Sequence, residues 1–371
     1  MESSKKTLRQ WTLLLLSSAA LCIGTIAGPL LLRFYFLHGG TRKWLSAWLE
    51  TGGWPLLIIP IWLSSHNKQS SEGTHVTPKL CLASIVLGVL TGLDDFLYAW
   101  GVSYLPLSTL SLLIASHLGF TAVFAFFIVK HKFSSYSINA IILLTMGSFM
   151  LTFHVSGDRP EGVTAGQYWL GFIVTVSAAA LYGLILPLTE LVYKKATHPI
   201  TYTLAMEMQV IMSFSATVLC TIGMVVNKDF EAIGREARAF DLGEFNYYMA
   251  LVWNAVCWQL FFIGVFGVIF LSSSLMSGVI IAACIPVTEL LAVILYHEKF
   301  SAEKGMALAM ALWGFASYLY GEYMDSKLQT SNMPEEHPQG SEHAEPREEE
   351  ERTLELVVEE LNSNSKSSKT K

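Results

Sequence analysis

Two adjacent carboxylates, Asp94 and Asp95, interrupt a stretch that is otherwise free of charge. From Leu80 to Leu93 there is none, and from Phe96 to Val129 only the titratable His117. A charged side chain at mid-bilayer costs about 2.5–3.5 kcal/mol on insertion scales, so an acid kept there is by default a functional candidate. A carboxyl group held away from water can carry a proton at neutral pH, the property that proton coupling requires. Neighbouring residues on a helix point about 100° apart. Asp95 follows Gly88 and Gly92, a small-residue ridge at which a second helix can approach closely. Asp94 shares its stripe with Thr91, Tyr98 and Gly101. One acid can therefore face a cavity while the other bonds a neighbouring helix. The plainer alternative is an interhelix hydrogen bond for both.

Four further ionisable residues stand out in apolar surroundings: His117 beside Ser116, Glu190, Glu207 and Glu289. Glu289, in IPVTELL, has no lysine near it before Lys299 and joins Asp94 and Asp95 as a candidate proton-coupling group. Glu190, in LPLTELV, precedes Lys194 by one helical turn, the spacing of a surface ion pair. Glu207, in MEMQ, lies near the start of its run, where it can reach the interface. Amide side chains make paired hydrogen bonds to an adenine-like edge, and tryptophan offers a flat base a stacking surface. Asn254, Trp258 and Gln259 supply both, although tryptophan is also common at membrane interfaces. The candidate substrate contacts are Tyr98, Ser116, His117, Glu207, Asn254, Trp258 and Gln259.

The surrounding composition says what positions them. Of 371 residues, 52% are hydrophobic and 15% charged, with mean hydropathy +0.45. Ordinary soluble chains carry roughly 25% charged residues. Ten apolar runs, each about long enough to cross a bilayer, lie near 12–32, 45–63, 80–101, 106–129, 137–154, 168–191, 203–226, 247–271, 276–296 and 304–322. Runs this long satisfy their backbone in lipid only as helices. The first follows Lys5, Lys6 and Arg9 but continues through Pro29 without a cleavage site, as a retained helix does. The five cysteines fall inside the runs as small apolar residues, not as a disulfide or metal framework. Basic residues divide almost evenly between the two sets of loops, slightly favouring a cytoplasmic N-terminus. Ten spans then place both termini on that side. Residues 1–11 form a short leading segment and 12–323 a ten-helix domain. Residues 324–371, acidic and poor in large apolar residues, read as a disordered tail.

Residues 115–147 match residues 282–314 at constant offset. Ala115, Thr121, Ala125, Phe133, Ala140 and Gly147 meet Ala282, Thr288, Ala292, Phe300, Ala307 and Gly314, and KFS recurs after a run in both copies. Runs four and five thus match runs nine and ten, so the unit is five helices, about 12–154 and 168–322. An odd unit inverts its second copy, the hallmark of alternating-access transporters with a midplane site between halves. Pro29 and Pro187 fall late in the first helix of each half, where they can bend it around a cavity. The expected fold is all-α and integral to the membrane, with ten helices in two inverted five-helix repeats.

No Lys or Arg lies in the interior of a run, which argues against a phosphorylated substrate and for an uncharged, cationic or weakly basic one. No Walker loop, zinc motif or nucleophile elbow occurs, so neither an ATPase nor a hydrolase is indicated.

Several stretches resemble the plant purine permeases: GPLLLRFYFLHGGTRKW at 28–44, LDDFLYAWG at 93–101, PLSTLSLLIASHLGFTAVFAFFIVKHKF at 106–133, AAALYGLILPLTELVYKKA at 178–196, MEMQ at 206–209, and most of 273–322. The resemblance covers nearly all of 11–323, in order. It implies a ten-helix, five-plus-five protein of the drug/metabolite transporter superfamily. It further implies proton-coupled uptake of adenine, related purine derivatives and cytokinins, mostly at the plasma membrane. Some members of the family are associated with alkaloids or vitamin B6-type compounds. His117 departs from the glutamine that many relatives carry there. The expected partners are a purine-type small molecule, protons and the lipid bilayer, with no cofactor, metal, nucleic acid or enzymatic activity. The alternatives are a carrier of other nitrogenous heterocycles and, in a different class, a membrane receptor for such ligands.

Overall fold

A computed structural model of the chain describes residues 2–58, 61, 76–130, 133–152, 163–196, 201–297 and 302–332. The helices, in order, are α1 (Glu2–Leu37), α2 (Lys43–Thr51), α3 (Pro78–Tyr104), α4 (Leu107–Ala115), α5 (His117–Phe124, followed by a π-helical turn at Ala125–Val129) and α6 (Ser135–Thr152). They continue with α7 (Ala165–Lys194), α8 (Tyr202–Val226), α9 (Asp229–Ala239), α10 (Glu244–Leu271), α11 (Ser274–Tyr296) and α12 (Ala302–Asn332). No strand occurs among the described residues. Among the described residues, six helices are long and apolar enough to cross a membrane: Gln10–Leu37, Pro78–Tyr104, Ala165–Lys194, Tyr202–Val226, Glu244–Leu271 and Ser274–Tyr296. Large apolar side chains such as Phe127, Val226 and Phe245 stand on the surface, as lipid contact requires. The chain clusters into two units, Met1–Glu322 and Tyr323–Lys371. The second is described only through Asn332, as helix, so helix persists past the boundary expected at 324. The rest of the expected tail lies outside the described residues.

Local chemistry explains where the helices begin. Thr77 accepts from the Leu80 N–H ahead of Pro78 in α3, and Thr164 and Gln167 form a reciprocal capping box at α7. Two helix ends share a backbone feature. Lys130 (φ 55°) closes the π-helical turn and His297 (φ 52°) closes α11, both left-handed and both at the same offset as the sequence repeat.

Three expectations need correction. The run 45–63 is not one helix: α2 stops at Thr51, and Gly52 and Gly53 make a turn before helix resumes. A Cβ on Gly53 would come within 2.7 Å of the Ala255 carbonyl and 2.8 Å of Gln259 Cβ, so the bare glycine is what lets α10 approach. The run 106–129 breaks at Ser116, where Ser116 Oγ donates to the Leu113 carbonyl at 2.6 Å and His117 Nδ1 to the Ile114 carbonyl at 2.8 Å. Side chains that claim these carbonyls compete with the helical ladder. Finally, α9 is a helix that was not anticipated between two runs. Its Glu236 accepts from the Tyr35 hydroxyl (2.6 Å), the Tyr247 hydroxyl (2.9 Å), and both the N–H and the hydroxyl of Thr41 (2.7 and 2.8 Å). A carboxylate satisfied this fully ties α9 to the ends of α1 and α10.

Candidate functional site

The acids that opened the sequence question sit where several helices converge. The small-residue ridge behaves as expected: Gly88 and Gly92 face Met212 and Ala216, with a Cβ on Gly92 coming to 3.1 Å from the Ala216 carbonyl. This turns Asp95 toward α8 and α2. The other stripe meets α7, since a Cβ on Gly101 would strike the Thr175 hydroxyl. Asp94 is thereby turned toward the second half of the chain. Both line one cavity. Its walls come from both halves: α1 (Thr25, Pro29), α2 (Glu50), α3 (Asp94, Asp95, Tyr98), α4 (Ile114), α7 (Ala178, Tyr182), α10 (Trp258, Phe261, Phe262) and α11 (Ile281, Ile285, Thr288).

One wall is aromatic. Tyr98 meets Trp258 edge-on at 5.6 Å between ring centroids, Trp258 meets Phe261 at 5.3 Å, and Tyr182 lies 6.1 Å from Phe261. Gly28 makes room for the indole, since its Cβ would stand 3.0 Å from the ring. Carboxyl groups line the same cavity. Asp94 Oδ1, Trp258 Nε1 and the Tyr182 hydroxyl have no hydrogen-bond partner among the described residues. Buried polar atoms are nearly always satisfied, so an acceptor and two donors left open around one cavity are what a polar, flat ligand needs.

The other candidates fall around this cavity rather than in it. His117 is fully buried one layer back, its ring 5.6 Å from Tyr182. Because a carbonyl only accepts, its contact with Ile114 makes Nδ1 the protonated nitrogen. Ser116 is committed to Leu113. Glu289 is buried next to cavity-lining Thr288 but is not itself part of the wall. Glu207 is half-buried in the first turns of α8 and is not part of the cavity wall. Asn254 and Gln259 are both 1% exposed, with amide atoms that find no partner among the described residues. Asn254 lies one turn before Trp258, and Gln259 packs on Gly53. Glu190 pairs with Lys194 at 2.8 Å as its spacing implied, but it also accepts from the N–H of Ser274 at 2.9 Å. That second role, anchoring the start of α11, depends on a residue far along the chain. Among the described residues no group of acids, histidines and cysteines could hold a metal ion.

Glu50 is the residue that inspection of the sequence passes over. Its signal is plain in SAWLETGGW, a carboxylate inside an apolar run and two residues before a pair of glycines. It is 1% exposed and lines the same cavity as Asp94 and Asp95.

Comparison with known proteins decides the family. A family model described as purine nucleobase transmembrane transport matches residues 12–328. The chain belongs to that family. From Arabidopsis thaliana, purine permease 3 is 47% identical over 317 residues, covering 84% of this chain and 90% of the relative. Purine permease 2 is 46% identical over 328 residues, with 84% and 92% covered. Probable purine permease 5 is 40% identical over 316 residues, with 85% and 87% covered. One solved crystal structure superposes on this permease with a TM-score of 0.56 at 15% identity, over 83% of this chain and 99% of the other. That likeness concerns the fold alone.

Proposed function

We propose that this permease is a proton-coupled secondary transporter that takes up purine bases and derivatives such as adenine and cytokinins. The observation that carries the proposal is the cavity itself, lined by carboxyl groups and aromatic rings from helices of both halves of the chain. A flat base can stack on Trp258 while its N–H groups donate to Asp94. The named relatives support the same substrate class. The ten-helix, inverted five-plus-five arrangement belongs to this proposal, with Lys130 and His297 as its repeat-equivalent helix ends. So do a plasma-membrane location and cytoplasmic termini.

Uptake of labelled adenine into yeast lacking its own purine carriers is expected to rise as external pH falls and to collapse with a protonophore. Protons then drive entry, and lowering external pH steepens their gradient. Accumulation untouched by the protonophore would end the symport proposal. Binding without accumulation would favour the receptor alternative. Three carboxyl groups in one cavity also suit a protonated nitrogen base, so alkaloids and vitamin B6-type amines belong in the competition panel. If they displace adenine at lower concentration than purines do, the substrate class is theirs.

The inverted repeat makes a separate demand. Single cysteines introduced at Lys130 and at His297, in a background without the native cysteines, are expected to react with an impermeant maleimide from opposite faces of the membrane. Labelling of both from one side would refute the inversion.

A further inference from the structure

Glu50 and Asp95, from different helices, line one cavity and come within hydrogen-bonding reach of each other there, while Glu50 Oε1 and Asp95 Oδ2 have no partner among the described residues. Two carboxyl groups can share a hydrogen bond only if at least one carries a proton, because a carboxylate has none to donate. Asp94 is directly beside the pair. The groups facing these acids are two phenols, Tyr98 and Tyr182, and the Cys220 thiol. The ion pairs Arg42–Asp229 and Lys194–Glu190 lie elsewhere. Like-charged carboxyl groups at hydrogen-bond distance, away from water, cannot both ionise. Glu50 also sits in the last turn of α2, two residues before the Gly52–Gly53 turn. Interrupted helices of this kind are where transporters place their coupling ions.

Resting on the symport proposed above, we infer that Glu50 and Asp95 hold one proton between them and are the coupling pair, leaving Asp94 to engage the base. In the resting pair one proton is shared and the net charge is −1. A proton from the outer solution forms a second O–H bond, so each carboxyl becomes neutral and the charge that opposes closure of the cavity disappears. Release of that O–H proton to water on the inner side restores the shared-proton pair. One proton moves per cycle, and no other reactant is needed. Asp94 is set apart from the pair by its stripe, which meets α7, not α2.

The test compares net accumulation of labelled adenine with exchange of labelled for unlabelled adenine in preloaded cells. Glu50→Gln and Asp95→Asn, at wild-type surface abundance, are each expected to cut accumulation at least tenfold while exchange stays within about twofold, since exchange need not return an empty carrier. The double variant is expected to be no worse than either single one, because the two residues act as a unit. Glu50→Asp is expected to keep accumulation but displace its dependence on external pH, a readout that also serves if Glu50→Gln fails to reach the surface. Wild-type accumulation in Glu50→Gln, equal loss of exchange and accumulation, or an unshifted pH profile in Glu50→Asp would each overturn the coupling pair. Failure of the symport proposal is separate: it shows as protonophore-insensitive accumulation in the wild-type protein.

Discussion

Asp94→Asn is expected to abolish uptake, lowering both accumulation and exchange of labelled adenine at least tenfold while the protein still reaches the membrane. The amide keeps the shape of the acid and can still bond a neighbouring helix, so packing alone would tolerate it. It halves the accepting capacity toward the cavity, however, and turns one oxygen into an N–H₂ group in a cavity whose lining already holds the unpaired donors of Trp258 and Tyr182. Removing one partner of a buried hydrogen bond costs the desolvation of what is left unpaired, about 1–3 kcal/mol and more for a charged group. Tenfold corresponds to about 1.4 kcal/mol, so the expected loss sits at the lower end of that range. Substrate entry is blocked before any question of coupling arises, which is why exchange falls along with accumulation. An Asp94→Asn protein that exchanges adenine like wild type would remove Asp94 from the base site, and Glu289, buried beside cavity-lining Thr288, would become the acid to examine next.

Gly264→Val, or Gly24→Val, is expected to leave almost no folded protein. The two glycines mark the crossing of α1 and α10. A Cβ on Gly24 would overlap the backbone of Phe261, and one on Gly264 the backbone of Leu21. Overpacking a core with yielding side chains costs about 1–3 kcal/mol. Here the opposing atoms are main chain in two long helices, so relief requires separating the helices. That would undo the packing of Phe261 and Trp258 that forms the aromatic wall. In membranes, where apolar burial gives little advantage over lipid contact, close helix approach is itself a major source of association. Size-exclusion profiles of detergent-solubilised fluorescent fusions measure this directly, with loss of the monodisperse peak as the expected result. Gly234→Ala is the control: a Cβ there meets nothing within 4 Å, and alanine is favoured over glycine in a helix by roughly 0.5–1 kcal/mol. A Gly264→Val protein with an unchanged profile would mean that α1 and α10 do not cross as described.

Much of the fold is legible along the chain because lipid removes most alternatives: a long apolar run has to be helical. Caps such as Thr77–Pro78 and Thr164–Gln167 add local boundaries. The breaks are harder to see. Ser116 and His117 look like ordinary polar residues in a span until their bonds to Leu113 and Ile114 show that they have taken the ladder's carbonyls. The Gly52–Gly53 turn depends on how near α10 comes, which no local pattern reports. The helix α9 is invisible to a search for apolar runs, since Glu236 earns its place through Tyr35, Thr41 and Tyr247, brought in from elsewhere in the chain.

For the site, the sequence by itself determined that acids lie inside apolar runs, that Asp94 and Asp95 point in different directions, and that Gly88 and Gly92 open one face of α3 to another helix. Only the tertiary structure decided which groups meet. Glu50 joins Asp95, Trp258 lies against Gly28, and Glu289 stays outside the wall. The physical reason is that these helices are apolar nearly all round, so no polar stripe records which face turns inward. The rotation of each helix about its axis is instead set by close contacts at glycines and by hydrogen bonds between distant residues, and both exist only once the helices have packed.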